Sequence, residues 1–434
     1  MRSVSPASAA PSGILPVRFF RLSSGTVEDV LFILYFSFCF WEWAVRKLLE
    51  PLEADFLAKP AALALICLPV FVLFLTARRK LPSDFFVLFL YLAVYVIATY
   101  CFHPEYAYYY VREEYGLLDY VLAPDNGLYA YFFIRLVKEP KRILRDLRFS
   151  GYIVYVYSAL RLYVATVKGY WMEEGSLGQE YKSSYNMNFG YSLLLFVCCF
   201  LYCAFEQGSL RYLLLGGAGA FMILCGGSRG PLLDICVFLV LYAFVRFRRA
   251  RHKMLIGSGA LAFGAGAVFV WQRSILFLRE KMEQWNLHSR TLDMMLAGTV
   301  AQNNGRDVFW AAAWKMIRDN PFGYGAMGAR HVLCGIHIVG HPHNFFIELL
   351  IEYGVIAGPL LILLMLAASV RVFLCKTDNG GQGVFLIFFA NACQLMTSYT
   401  YWHSPALWAA LAAGVCFYQT EKRKRWLRAE PITQ

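Results

Sequence analysis

Apolar runs of membrane length, separated by short basic clusters, constrain this chain more than any other feature. A bilayer-crossing helix needs about 20 mostly apolar residues. Residues 345–370, FFIELLIEYGVIAGPLLILLMLAASV, have that character. So do 28–46, 60–76, 84–102, 126–137, 150–167, 186–205, 212–227, 231–245, 254–272, 383–398 and 405–418, the fourth and eighth of these being short. Hydrophobic residues make up 59% of the chain and charged residues 16%, whereas soluble domains run near 45–50% and about 25%. The expected fold class is therefore an all-α polytopic membrane protein with about 12 transmembrane helices.

The net charge of +12 would suggest nucleic acid in a soluble protein. Here the basic residues fall between apolar runs, as ARRK (77–80), KEPKRILRDLR (138–148), RFRRARHK (246–253) and EKRKR (421–425). That is the pattern of cytoplasmic loops. No basic, aromatic-interleaved soluble segment exists to carry nucleic acid, so no nucleic-acid partner is expected. Twelve spans put all four clusters on one side, with both termini cytoplasmic and the odd-to-even loops facing outward. Most of the 12 cysteines lie inside apolar runs, where a thiol behaves as a small hydrophobe and forms no disulfide framework. Arg18 and Arg21 precede no short apolar region with a cleavage site, so the first span is expected to be retained.

The organisation expected is transmembrane helices one to nine over 1–272, a long outer loop over 273–344, and helices ten to twelve with a basic cytoplasmic tail over 345–434. A loop of that length inside a membrane protein is usually functional. Within it, GRDVFWAAAWKMIRDNP sets Trp310, Ala313, Trp314 and Ile317 on one helical face. Asn303 or Asn304 could cap that helix, and Pro321 with the glycine-rich FGYGAMGA ends it. No repeat suggests the inverted symmetry of a transporter.

Three polar positions stand at the outer surface. Ser228-Arg229-Gly230 joins two spans, and an arginine there is either a functional group or a side chain snorkelling to the interface. Arg306 opens the loop helix, where backbone N–H groups favour an anion, or it is an ordinary exposed charge. His341, His343 and Asn344 precede the tenth span in GHPHN; Asn344 is a helix cap or a ligand, and His343 an interfacial side chain or a general base. Together the two arginines and His343 suit a lipid-linked phosphate, since a guanidinium binds phosphate oxygens in pairs. Tyr109 and Glu113, in HPEYAYYYVREEYGLLDY, could stack on sugars and bind hydroxyls, or could belong to an interfacial aromatic belt. Cys334, His337, His341 and His343 are zinc-compatible, yet their spacing resembles no common zinc pattern, and no Asp-x-Asp metal clamp occurs. Neither a metal nor another cofactor is expected.

These motifs together resemble the O-antigen ligase and O-antigen polymerase (Wzy-type) superfamily of bacterial membrane glycosyltransferases. The matching residues are Ser228-Arg229-Gly230, then Gly305-Arg306, Trp310, Pro321, Gly323 and Gly325, then His343-Asn344, Gly354 and Gly358. The resemblance implies a GT-C-like fold in the bacterial inner membrane, with an extracytoplasmic active site. It implies an inverting, metal-independent glycosyltransferase whose donor is an undecaprenyl-diphosphate-linked glycan and whose acceptor is a sugar hydroxyl. Carried over to this chain, Arg229 and Arg306 would hold the diphosphate and His343 would deprotonate the acceptor or bind phosphate. Ser228, Trp310, His341 and Asn344 would line the substrate. The family's ligase pattern places Gly, Thr or Tyr where this chain has Ala357, which tilts the expectation toward polymerisation of repeat units, with a chain-length regulator as a further partner. Transfer to a lipid A-core acceptor is the alternative, and a flippase for the same lipid ranks third.

Overall fold

The computed structural model describes residues 24–77, 82–112, 115–174, 180–250, 266, 272–285, 287–299, 305–376 and 380–429. Among the described residues the fold is helical apart from one antiparallel hairpin, Trp171–Glu174 paired with Glu180–Ser183. Among the described residues, five helices are long and apolar enough to cross a membrane: Asp55–Leu75, Ser83–Phe102, Met187–Gln207, Arg229–Arg249 and Phe345–Leu374. Leu210–Cys225 and Gly381–Met396 are shorter apolar helices. The chain is thus an all-α membrane protein. Nearly all of the expected ninth span, Glu113, the Asn303/Asn304 cap and parts of the basic clusters lie outside the described residues.

The helix Met187–Gln207 forms the centre. Asn186 caps it, its Oδ1 accepting from the Phe189 N–H at 2.7 Å, and its side chains are buried along most of its length. Around it pack Leu210–Cys225, Arg229–Arg249, Pro140–Lys168 and Gly381–Ala392. The expected first span is two helices, Ser24–Phe36 and Phe38–Leu49. The expected fourth is the helix Gly127–Val137, buried on nearly every side chain and packed against Pro405–Ala429. Eleven residues at 1.5 Å each make about 16 Å, well short of the roughly 30 Å hydrocarbon core, so this helix does not cross alone. Its Arg135 is not stranded in an apolar interior, because its Nε donates to Asp84 Oδ2 at 2.6 Å.

The helix Phe345–Leu374 is broken at Gly354, whose φ of 75° and ψ of −179° no helix contains. The break accepts the glycine-rich segment that ends the loop helix. Val355 N–H donates to Pro321 O at 2.8 Å, Tyr324 N–H to Ile351 O at 2.8 Å, and Gly325 N–H to Glu352 O at 3.0 Å. A Cβ at Gly354 would stand 2.5 Å from both Pro321 O and Phe322 C. Pro321, Gly323, Gly325 and Gly354 are therefore one joint between loop and span. Ala357 is exposed beyond that joint.

The loop helix Arg306–Asp319 buries Ala313, Met316 and Ile317 against Ile347, Ile351, Ala329 and Leu333. One sequence expectation needs correction here. Trp314 is 49% exposed, so the buried stripe runs through Trp310, Ala313, Met316 and Ile317, with Met316 replacing Trp314. Met316 faces inward because Ala329, Leu333, Ile347 and Ile351 all pack on that side of the helix.

Candidate active site

Two short connections deliver the arginines. The turn Gly226-Gly227-Ser228 is fastened on both sides, since Asn186 N–H donates to Gly226 O at 2.9 Å and Ser289 Oγ donates to Leu224 O at 2.6 Å. Ser228 is buried, and Arg229 begins the next span. Gly230 lets the turn close against the central helix, because a Cβ there would run into the Tyr191 hydroxyl. Gly305, at φ 78°, opens the loop helix and sets Arg306 at its first position.

The histidine arrives on a loop held from three directions. Trp310 Nε1 donates to Pro342 O at 3.1 Å. The His343 N–H donates to His341 Nδ1 at 3.3 Å, which leaves that nitrogen unprotonated. Asn344 Oδ1 accepts from Phe346 N–H and Ile347 N–H, both at 3.1 Å, and so caps the span. Held this way, His343 adopts φ 51°, a left-handed conformation that costs a non-glycine residue of order 1 kcal/mol. Its ring packs edge-on against Phe309 at 5.5 Å and against His341 at 4.2 Å.

The sequence-predicted trio shares one electrostatic neighbourhood. Burial pushes the His343 imidazole from 6.5 down to about 4, helped by the Arg306 guanidinium and, less, by the neighbouring His337. Arg306 is in turn lowered from the usual arginine range by burial; the Tyr191 phenol opposes this, and Arg229 adds to it. His341, 6% exposed, is held well below 6.5 by burial and by His343. At neutral pH both imidazoles are uncharged, and His343 stands in the field of Arg306, which in turn feels Arg229. Such a site can bind an anion through the arginines and take a proton on His343.

The remaining predicted residues divide. Trp310 and Asn344 support the loop from behind, and His341 is the buried acceptor beneath it. Tyr109 packs edge-on against Tyr108 at 5.4 Å and lies beside Cys334 and Arg112, so its neighbours differ from those of the arginines. Sequence reasoning missed Tyr191 and Arg290. Arg290 stands 4.4 Å over the Tyr185 ring and within electrostatic reach of Arg229. The signal for Arg290 was its place directly after Ser289, the N-cap of Arg290–Leu296. Among the described residues, no group of three or more His, Cys, Asp or Glu is placed to hold a metal ion.

Residues 213–365 match the family model described as O-antigen ligase. No curated protein and no solved structure matches the chain. The matched stretch contains the Ser228–Gly230 turn, Arg290, the loop helix, the glycine joint and the HPHN loop. Over these residues the chain is similar to the O-antigen ligase family, which supports the resemblance to the O-antigen ligase and polymerase superfamily.

Proposed function

We propose that the chain is an inverting, metal-independent glycosyltransferase that moves a glycan from an undecaprenyl diphosphate carrier to a sugar hydroxyl on the outer side of the bacterial inner membrane. The observation that carries this reading is that Arg306 lies within electrostatic reach of both Arg229 and His343, and that all three are partly buried. The acceptor oxygen attacks the anomeric carbon while the bond from that carbon to the diphosphate oxygen breaks. The bonding pair leaves on the lipid diphosphate, whose growing charge the guanidinium groups offset. The acceptor proton passes to the His343 ring nitrogen. Diphosphate binding would also counter the repulsion from Arg306 and make His343 a stronger base as the donor arrives.

A second feature supports a lipid-linked donor. An apolar cleft of about 350 Å³ runs between Phe345–Leu374, Gly381–Ala392 and Pro405–Ala429. It begins at Phe345 and Phe346, directly after Asn344, and extends to Tyr418. A polyprenyl chain fits such a surface.

Transfer to a lipid A-core or other cell-surface acceptor is the reading we favour, because the matching family model is described as O-antigen ligase. This reverses the order set by Ala357 alone, which is exposed and outside the joint. Polymerisation uses the same donor chemistry with a second lipid-linked repeat unit as acceptor. Arg306→Ala and His343→Ala should each abolish glycan transfer in cells while the protein stays in the membrane. Normal glycan in both variants would remove the catalytic reading.

A further inference from the structure

Beside the arginine site lies a second cavity, of about 360 Å³, bounded by the broken first helix, the central helix, Gly381–Ala392 and the start of Pro405–Ala429. Its walls are mixed. Tyr191 and Tyr399 meet edge-on at 5.4 Å, and Asn188 Oδ1 accepts from the Tyr399 hydroxyl at 2.5 Å. Asn391 lines the cavity at 6% exposure, and its Oδ1 is buried with no hydrogen-bond partner. Asp125 Oδ1 is also buried without a partner, while its Oδ2 is 3.7 Å from Lys59 Nζ.

An unpaired buried acceptor costs about 1–3 kcal/mol, and native folds keep few of them. Two in one cavity call for a ligand that donates. Aromatic walls with a few convergent polar atoms describe a small-molecule site, and the volume falls within the usual range of about 300–1,000 Å³. A hydroxyl-rich ring with apolar C–H faces satisfies both needs. Tyr191 fixes where such a ring would point. Its hydroxyl bonds to Thr397 and Ser398, each at 3.3 Å, and its phenol lies in the field of Arg306. One ring thus divides the cavity from the arginines.

We propose that this cavity binds the terminal sugar of the acceptor glycan, with Asn391 and Asp125 accepting its hydroxyl protons, and presents one hydroxyl past Tyr191 to the donor. The proposal rests on the transferase reading above. Its test uses the full-length protein in lipid nanodiscs, with lipid-linked oligosaccharide and acceptor glycan isolated from the producing cells. Asn391→Leu should raise the acceptor KM about tenfold, the loss of one hydrogen bond at 1.4 kcal/mol per decade. The donor KM should stay within about twofold. Asp125→Asn should retain most binding if the ligand is a sugar, whereas a cation site would lose it. Saturation-transfer NMR of the acceptor glycan on Arg306→Ala protein reads binding without turnover. A glycan signal that falls about tenfold on adding Asn391→Leu supports the proposal. Equal signals, or an Asn391→Leu protein with unchanged acceptor KM, overturn it. Absence of turnover in wild type, with the glycan signal intact, counts against the transferase reading instead.

Discussion

Replacing Arg306 by Gln should raise the pKa of His343, and the size of the rise tests the geometry of the site. The fall from 6.5 to about 4 corresponds to ~3 kcal/mol against the imidazolium, at about 1.36 kcal/mol per pH unit. Burial is the largest cause and Arg306 the next, with His337 after it. Removing the guanidinium charge should therefore return about one pH unit, or ~1.4 kcal/mol, and leave His343 still below 6.5. The sign follows for stability as well. The folded state disfavours the charged ring, so the unfolded chain binds more protons between about 4 and 6.5. His343 imposes no penalty above 6.5; stability is lost as pH falls from there toward 4. In Arg306→Gln that loss should be smaller. Nitrogen-15 histidine NMR of protein in nanodiscs, with His343→Gln to assign the resonance, reads the titration directly. A wild-type His343 titrating near 6.5, or one unmoved by Arg306→Gln, would refute the arrangement.

Other perturbations probe the loop from different sides. Trp310→Phe keeps the ring but loses the bond to Pro342 O. It should cost ~1 kcal/mol of stability and lower kcat more than it raises KM, as steady-state transfer assays would show. Asn344→Ala removes both cap bonds and should cost about 1 kcal/mol, while Asn344→Asp should retain most of it; thermal unfolding in detergent distinguishes them. Gly354→Ala forces a Cβ into Pro321 and Phe322 at φ 75°. It should cost more than ~2 kcal/mol and sharply reduce folded protein on size-exclusion chromatography.

Part of this was legible in the sequence. Asn344 reads as a cap because an Asn stands directly before a long apolar run, and cap chemistry is local. Arg229, Arg306 and His343 were each ambiguous alone, and only topology suggested that they share a surface. Tyr191 could not be read, since a tyrosine inside an apolar helix looks like any other core aromatic. Its importance comes from Gly230 pressing on it and from Arg306 nearby, both long-range facts. The break at Gly354 was hidden because a glycine in a membrane helix is common, and nothing local says that another segment enters there. The helix 126–137 misled because an apolar run of that length fits a buried core helix as well as a short span.

The central claim is that Arg229, Arg306 and His343 act together on a lipid diphosphate glycan. The most direct measurement incubates purified protein in nanodiscs with lipid-linked oligosaccharide and acceptor glycan, with chelator present, and follows both released lipid diphosphate and joined glycan. The account predicts that wild type forms the two products in equal amounts, and that Arg306→Ala and His343→Ala form neither. Joined glycan from either variant at the wild-type rate, or wild-type turnover that stops on adding chelator, would contradict it.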